Sequence, residues 1–385
     1  MKHSKETKFE PENFLEREPI HLDTFSISQQ LEHKTVLVTG GAGSIGSELV
    51  RQILKFSPSR VVVLDHSETP LHLLNIEVNE LPENAMVKVH FELGDVKSID
   101  TVEHIFKKYT PQVIYHAAAY KHIHIIEENP SQAIFANVLG TRNVADLAVK
   151  YGAETFVMIS TDKVVNPGSV MGASKLIAER YVQALYVKQV EDKVLSPTKF
   201  ITTRFGNVLG SRGSVVPLFI SQIEKGGPVT LTHPSMVRYF MTIKESCQLV
   251  LEAGAMGKGA EIFIFNMGQP VKIYDLAHKM IRSYGLEPGK DIKIEITGLR
   301  LGERLDEQLI DASAIAMPSH NVDIMIVKEK SIPYATINTC ITELERLALK
   351  FEGGNIIQLL LEILPEYKTN NPYYAEFIKN AQTKA

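Results

Sequence analysis

The chain has 385 residues, 44% hydrophobic and 22% charged, with a formal net charge of −4. Such a chain buries a real core, most simply as two domains; it excludes wholesale disorder and offers no global basic field to hold a nucleic-acid backbone. Two cysteines, Cys247 and Cys340, exclude a disulfide scaffold or a CxxC zinc site, and no apolar run approaches the ~20 residues of a membrane helix, so a cytoplasmic protein without membrane insertion or signal peptide is expected.

Residues 1–30 are charged and weakly periodic and read as an extended lead-in. Thr35–Val38 is a short β-branched run ending in glycines, the pattern of a buried parallel strand. A helix follows with Ile45, Leu49, Ile53 and Leu54 on one face. Further strands are predicted at Arg60–Leu64, Val87–Phe91, Val113–His116, Thr155–Ile159 and Lys199–Thr203, with helices between them, notably Ser131–Lys150 and Lys175–Val190. Strands alternating with helices predict a Rossmann-type, doubly wound parallel sheet. After Arg204 the alternation loosens: 206–238 is rich in Gly and Pro, 271–284 is an amphipathic helix and 292–296 alternates like a strand. The expected division is an N-terminal extension (1–30), a dinucleotide-binding domain (31–205, with 239–265 returning to it), a smaller C-terminal α/β substrate-binding domain (206–238 and 266–330) and a helical tail (331–385) whose last two helices are split at Gly353-Gly354.

Thr39–Gly46 links the first strand to the first helix with glycines at 40, 43 and 46. Such a loop permits a tight turn and a close backbone approach to a pyrophosphate, which the helix N-terminus at Ser44 and Ile45 then meets with free N–H groups. Asp65 ends the second strand about twenty residues past Gly46, where an acid accepts from the adenosine ribose hydroxyls and repels a 2′-phosphate. That favours NAD over NADP; the bland alternative is an acidic turn residue. Asp95, followed by Val96, is either an adenine contact or the cap of the helix that begins near Ser98. Ala117 and Ala118 follow the fourth strand and are small enough for a cofactor to lie against the backbone. Lys121 is a catalytic or phosphate-facing cation, or a solvated lysine; His122 and His124 lack the companions of a metal site, and no metal is expected. Ser160-Thr161-Asp162-Lys163 follows the fifth strand, where open α/β sheets bind ligands, and Lys175 begins the next helix.

The set TGGAGSIG, the acid after strand two, HAAAYKH, STDK and the helix with Lys175 resembles the extended short-chain dehydrogenase/reductase superfamily. More narrowly, the stretches AAYKH (118–122), STDKVVNP (160–167), MGASK (171–175), RFGNVLGSRGSV (204–215) and GLRLGER (298–304) resemble the CapD-like polysaccharide-biosynthesis branch, the UDP-N-acetylglucosamine 4,6-dehydratases. The likeness runs from about Arg17 to about Ile310. Large members of that branch carry N-terminal membrane helices; this sequence resembles the short form. One departure is Met171, which stands where the superfamily usually has a proton-transferring tyrosine. A thioether cannot transfer a proton. Methionine at this position resembles the subgroup that retains the C5 configuration; the alternative is an NAD-binding regulator without activity.

The resemblance implies an internal redox dehydration: oxidation at sugar C4, loss of water across C5 and C6, and return of the hydride to C6, with tightly bound NAD and a UDP-sugar as partner. It implies Lys175 at the nicotinamide ribose, Asp162 as the acid for the 6-hydroxyl, Lys163 as the C5 base, and Thr161 at O4, relaying its proton through water or Asp162. On the substrate side it implies Lys121, Asn207, Arg212, Val215, Arg238, Arg300 and Glu303, the arginines as phosphate or uridine contacts and Glu303 at a ribose hydroxyl. A homo-oligomer is expected. The rival activities are a C5-inverting dehydratase and a 4-epimerase.

Overall fold

The computed structural model describes residues 22–384 apart from Ser313, Lys330 and Asn370. The first 21 residues of the expected extension lie outside the described residues; the rest of it is not extended, because Thr24–Leu31 forms a helix that buries Ile27 and Leu31.

The six expected strands form as β1 (Thr35–Thr39), β2 (Arg60–Asp65), β3 (Lys88–Leu93), β4 (Val113–His116), β5 (Thr155–Ile159) and β6 (Lys199–Arg204). The chain then adds β7 (Asn207–Val208), β8 (Val229–Leu231), β9 (Val237–Arg238), β10 (Phe240–Met241), β11 (Ile262–Phe265), β12 (Val271–Lys272), β13 (Ile294–Ile296), β14 (Ile315–Pro318) and β15 (Ile324–Lys328). Among the described residues one nine-stranded sheet runs in the order β14-β15-β11-β6-β5-β4-β1-β2-β3. It is parallel from β3 to β11. The chain order reverses between β1 and β4, and this reversal opens a crevice at the carboxyl ends of the strands.

Period-two burial gives the sheet two apolar faces. Val36, Val38, Val61, Val63, Tyr115 and Val157 pack under the helices Thr24–Leu31, Ser44–Leu54 and Ile243–Met256. Leu37, Val62, Leu64, Ile114, Phe156 and Met158 face the opposite layer, built from Ile99–Tyr109, Gly140–Lys150 and Val170–Glu191. That layer is completed by Tyr334–Leu349 and Gly353–Ile363, whose buried Ile337, Ile341, Leu344, Ile357 and Leu360 enter the same core. The glycine pair therefore opens the second of these helices, and a further helix, Ala375–Lys384, follows. A separate core, including Phe219, Ile223, Leu231, Leu276 and Met280, holds the smaller lobe around the helices Val215–Glu224 and Ile273–Ser283. Among the described residues no helix is long and apolar enough to cross a membrane.

Two local features depart from expectation. Residues 315–328, expected with the smaller lobe, form the β14–β15 hairpin and pair antiparallel with β11. The reason is that all four β11 residues are buried, and an unpaired edge would leave its backbone groups exposed. Within the expected helix Ser131–Lys150, Ile134–Leu139 is a π-helix. That widened turn directs Asn137 toward the site, as π-turns often do.

Arg204, at the end of β6, joins these layers. Its guanidinium is 1% exposed, donates to Glu179 of the helix Val170–Glu191 at 2.5 Å, and donates to Glu329 after β15 at 2.5 Å. Arg204→Met leaves Glu179 buried without its cation. A loss of about 3–5 kcal/mol of unfolding free energy is expected, read by urea denaturation.

Candidate active site

The crevice holds two adjoining cavities. One, of about 200 Å³, is lined by the glycine loop, Asp65, Asp95, Val96, Ala117, Ala118, Tyr120 and Arg212. The other, of about 400 Å³, shares Gly40, Gly43, Ala117 and Tyr120 with it and continues over Ser44, Ile45, Gly46, Lys121, Thr161, Lys163, Met171, Lys175 and Asn207. The two form one elongated cleft across the sheet's switch point.

The loop is built for close approach. Gly40 has φ +63°, and a Cβ there would lie 2.6 Å from the Ala118 nitrogen. The helix Ser44–Leu54 begins at Gly43, which supplies no capping side chain, so its first N–H groups face the cleft. Asp65 is buried at the end of β2; its carboxylate accepts from Ala42 N and Ser67 N, both at 2.9 Å. It thus fixes the loop while bordering the first cavity. Asp95 borders the same cavity, accepts from Lys97 N and pairs with Lys97 Nζ at 3.2 Å. The helix cap is Ser98, whose hydroxyl accepts from Thr101 N.

The second cavity is walled by a 3-10 turn, Asp162–Val164, and by the helix Val170–Glu191. Ser169 caps that helix by accepting from Gly172 N. Lys175 is buried, and its ammonium donates to the Ile159 carbonyl at 2.8 Å. Burial pushes its pKa down to about 8, against an opposing pull from Glu179. Met171 is 3% exposed and lines the cavity. The Thr161 hydroxyl donates to Asp162 Oδ1 at 2.8 Å. The Lys163 ammonium donates to the same oxygen at 2.9 Å and to Asn207 Oδ1 at 3.3 Å. Asp162 itself is 0% exposed and stands behind this lining. Its Oδ2 and the neighbouring Ser160 Oγ are buried without a hydrogen-bond partner among the described residues.

Other expected contacts are placed differently. Arg238 borders neither cavity: its Nη atoms donate to the carbonyls of Val237, Leu305 and Arg304, at 2.7, 3.0 and 2.7 Å. Its reach is spent on holding that loop, so it is not displayed to a phosphate. Arg300 and Glu303 close a turn on each other, the carboxylate accepting from Arg300 N, and border neither cavity. Val215 starts a helix of the smaller lobe and packs on that lobe's core. Arg212 lies over the first cavity, donating from its backbone N–H to Ser44 Oγ and from its guanidinium to the Ala42 carbonyl.

Three residues escaped the sequence reading. Asn137 is fully buried, accepts from Tyr120 N, and donates to Tyr120 O and Ser174 Oγ. It ties the loop after β4 to the lysine-bearing helix. Glu127 accepts from Val170 N at the start of that helix and from Asn371 of the C-terminal segment. Burial raises its pKa. Glu307 is 7% exposed, with Oε1 3.9 Å from Lys163 Nζ and 3.8 Å from Arg238 Nη2. No spacing rule flags any of the three, since each is brought in by tertiary contact.

Fold and cleft define a Rossmann-type α/β protein with a cluster of polar and ionisable side chains at the sheet's carboxyl edge. The chain belongs to the polysaccharide biosynthesis protein family, matched over residues 36–329. It is 50% identical over 304 residues to the probable polysaccharide biosynthesis protein EpsC of Bacillus subtilis, covering 79% of this chain and 49% of EpsC. It is 49% identical over 308 residues to the capsular polysaccharide biosynthesis protein CapD of Staphylococcus aureus, covering 80% of this chain and 50% of CapD. The chain therefore spans about half the length of these curated relatives. A UDP-glucose 4-epimerase of Rickettsia bellii is 31% identical over 354 residues, 90% of this chain and 99% of its own. Among solved structures, Pen from Bacillus thuringiensis superposes with TM-score 0.69 at 31% identity, covering 82% of this chain and 98% of Pen. The Thermus thermophilus UDP-glucose 4-epimerase in complex with NAD superposes with TM-score 0.60 at 25% identity, covering 72% and 90%.

Lys175 gives the site a measurable signature. Below about pH 8 the folded protein holds it charged and desolvated; between about pH 8 and its ordinary value of 10.5 the unfolded chain binds the extra proton. Stability therefore rises with pH through that window. Relative to Lys175→Met, the wild type should gain up to about 3 kcal/mol between pH 7 and pH 10, measured by paired chemical denaturation curves.

Proposed function

We propose that the chain is an NAD-dependent UDP-N-acetylglucosamine 4,6-dehydratase that retains the configuration at C5. The observation that carries this reading is the wall of the second cavity: a hydroxyl (Thr161) backed by a buried carboxylate (Asp162), an amine beside it (Lys163), and an unreactive thioether (Met171) at the usual tyrosine position. The adenosine and pyrophosphate end of the dinucleotide would be held in the first cavity by its glycine cradle, the open helix N-terminus and the buried acid Asp65, which disfavours a 2′-phosphate and so supports NAD over NADP. When bound, NAD supplies a hydride acceptor for C4 and returns the hydride to C6. On this reading 31–205 with 239–265 holds the cofactor, and the smaller lobe faces the sugar nucleotide.

The proton steps fall to this chain's own residues. Thr161 takes the O4 proton and passes it to Asp162, to which it is already hydrogen-bonded. The ketone acidifies the C5–H, and Lys163, which acts in its neutral amine form, removes that proton. The proton held by Asp162 returns through Thr161 to the departing O6 as water leaves. Lys163 then returns its proton to C5. Asp162 lies behind the cavity lining, so its acid role runs through Thr161 rather than by direct contact. Lys175 would hold the nicotinamide ribose, and Lys121 and Asn207, which line the same cavity, would contact the substrate. Arg212, lying over the first cavity, faces the cofactor side.

A second reading, a UDP-sugar 4-epimerase, draws on the Rickettsia bellii relative, which aligns over nearly its whole length. That reaction needs acid–base exchange at O4 only and leaves Lys163 without a task. Incubation with UDP-N-acetylglucosamine without added NAD, followed by mass spectrometry, separates the two. Loss of one water and a new methyl signal by proton NMR are expected, with the C5 coupling of the starting configuration. Unchanged mass with an inverted C4 supports the epimerase; no reaction even with NAD added overturns both. Asp162→Asn and Lys163→Ala should each lower dehydration about a hundredfold or more.

A further inference from the structure

Asp162 and Lys163 are not the whole ionisable cluster. Glu307 reaches it from a loop far along the chain and is fixed there by Arg238, which grips the carbonyls of Arg304 and Leu305 just before it. The groups facing Glu307 are Lys163 and Asp162 on the 3-10 turn, Arg238 on β9, and Arg304 on its own loop. The Glu307 side chain is 3% exposed and borders neither cavity, so it does not touch a ligand there. Lys163 thus stands between two buried carboxylates, Asp162 at 2.9 Å and Glu307 at 3.9 Å.

We propose that Glu307 is the positioning residue for the proton abstraction, the carboxylate that holds the negative charge opposite Lys163 while Asp162 carries the proton from O4. This inference rests on the dehydratase reading above. Two carboxylates around one amine do not both ionise freely at close range, and each favours the proton when the other is charged. Burial, with Asp162 adding to it, raises the Glu307 pKa, while Lys163, Arg238 and Arg304 oppose that rise. Once Asp162 has accepted the O4 proton it is neutral and no longer offsets an ammonium beside it. Glu307 stays ionised, so the O4 proton goes to Asp162, and it stabilises the charge that Lys163 gains on removing the C5 proton. The amine thereby keeps a negative partner, and with it its strength as a base, after Asp162 has been neutralised. When Asp162 returns its proton to O6, the starting distribution is restored, so the cycle balances with no outside acid.

The test is the pH dependence of kcat in Glu307→Gln, with the holoenzyme and UDP-N-acetylglucosamine. The Gln side chain keeps the volume and removes the charge. The plateau of kcat is expected to fall about tenfold or more, because a weaker base abstracts the proton. The ascending limb should move down by about one pH unit, because Lys163 gives up its own proton more readily. KM and the bound-cofactor content should stay unchanged, and Glu307→Asp should restore the limb while recovering kcat only in part. A wild-type profile and rate in Glu307→Gln, alongside an inactive Lys163→Ala, overturns the proposal and leaves the dehydratase reading standing. Absence of water loss in the wild type overturns the reading itself. If Glu307→Gln does not fold, Glu307→Asp decides: the ascending limb in its wild-type place with lowered kcat supports the proposal, and unchanged kcat overturns it.

Discussion

Residue 172 has no room for a side chain. A Cβ there would lie 2.2 Å from the carbonyl oxygen of Lys163. That contact seats the first turn of the helix Val170–Glu191 directly on the 3-10 turn after β5. One wall of the second cavity depends on it, because the turn and its cap carry Thr161, Asp162 and Lys163 while the helix carries Met171 and Lys175. The helix is then pinned by neighbours that have no part in the chemistry. Ser169 and Glu127 take its first N–H groups, Asn137 takes Ser174, and Arg204 holds Glu179 two turns further on. Burying a lysine beside the cavity is electrostatically expensive, and the depressed pKa of Lys175 records that cost.

The parts legible in the sequence were those written in contiguous residues. The β-branched runs before Gly40 and Asp65 become β1 and β2, because a strand buried on both faces needs an uninterrupted apolar stretch. The glycine loop and the Ser160–Lys163 motif sit at strand ends, so strand prediction alone carries them to the crevice. Other features depend on tertiary context. Whether Asp162 points into the cavity or behind it depends on the twist of a three-residue turn, which residue type does not specify. The stretch Ile134–Leu139 has an ordinary helical pattern, and nothing in it announces the wider turn from which Asn137 meets Tyr120. An arginine's charge suggests phosphate, but the donors of Arg238 go to the carbonyls of its neighbour Val237 and of Arg304 and Leu305 on a distant loop, and that loop also brings in Glu307, which no local pattern marks.

The C-terminal segment shows how a family scaffold is extended. The family match ends at residue 329, yet Tyr334–Leu349 and Gly353–Ile363 contribute to the same core as β1 and β4. Asn371 then reaches Glu127, and the Tyr374 hydroxyl donates to the Glu127 carbonyl. The tail is thus connected to the helix that bears the lysine by two hydrogen bonds in series, through one carboxylate.

The Ala42 peptide is held from two sides. Its N–H donates to Asp65 of the sheet, and its carbonyl accepts from Arg212, which comes from the chain leading into the smaller lobe. The glycine loop therefore owes its shape to folding rather than to a ligand. A ligand that enters the first cavity meets donors already in place, and the entropy of ordering them does not weaken its grip. Such preorganisation favours long residence over rapid exchange, as the proposed cycle, in which the hydride acceptor is restored within each turnover, would require.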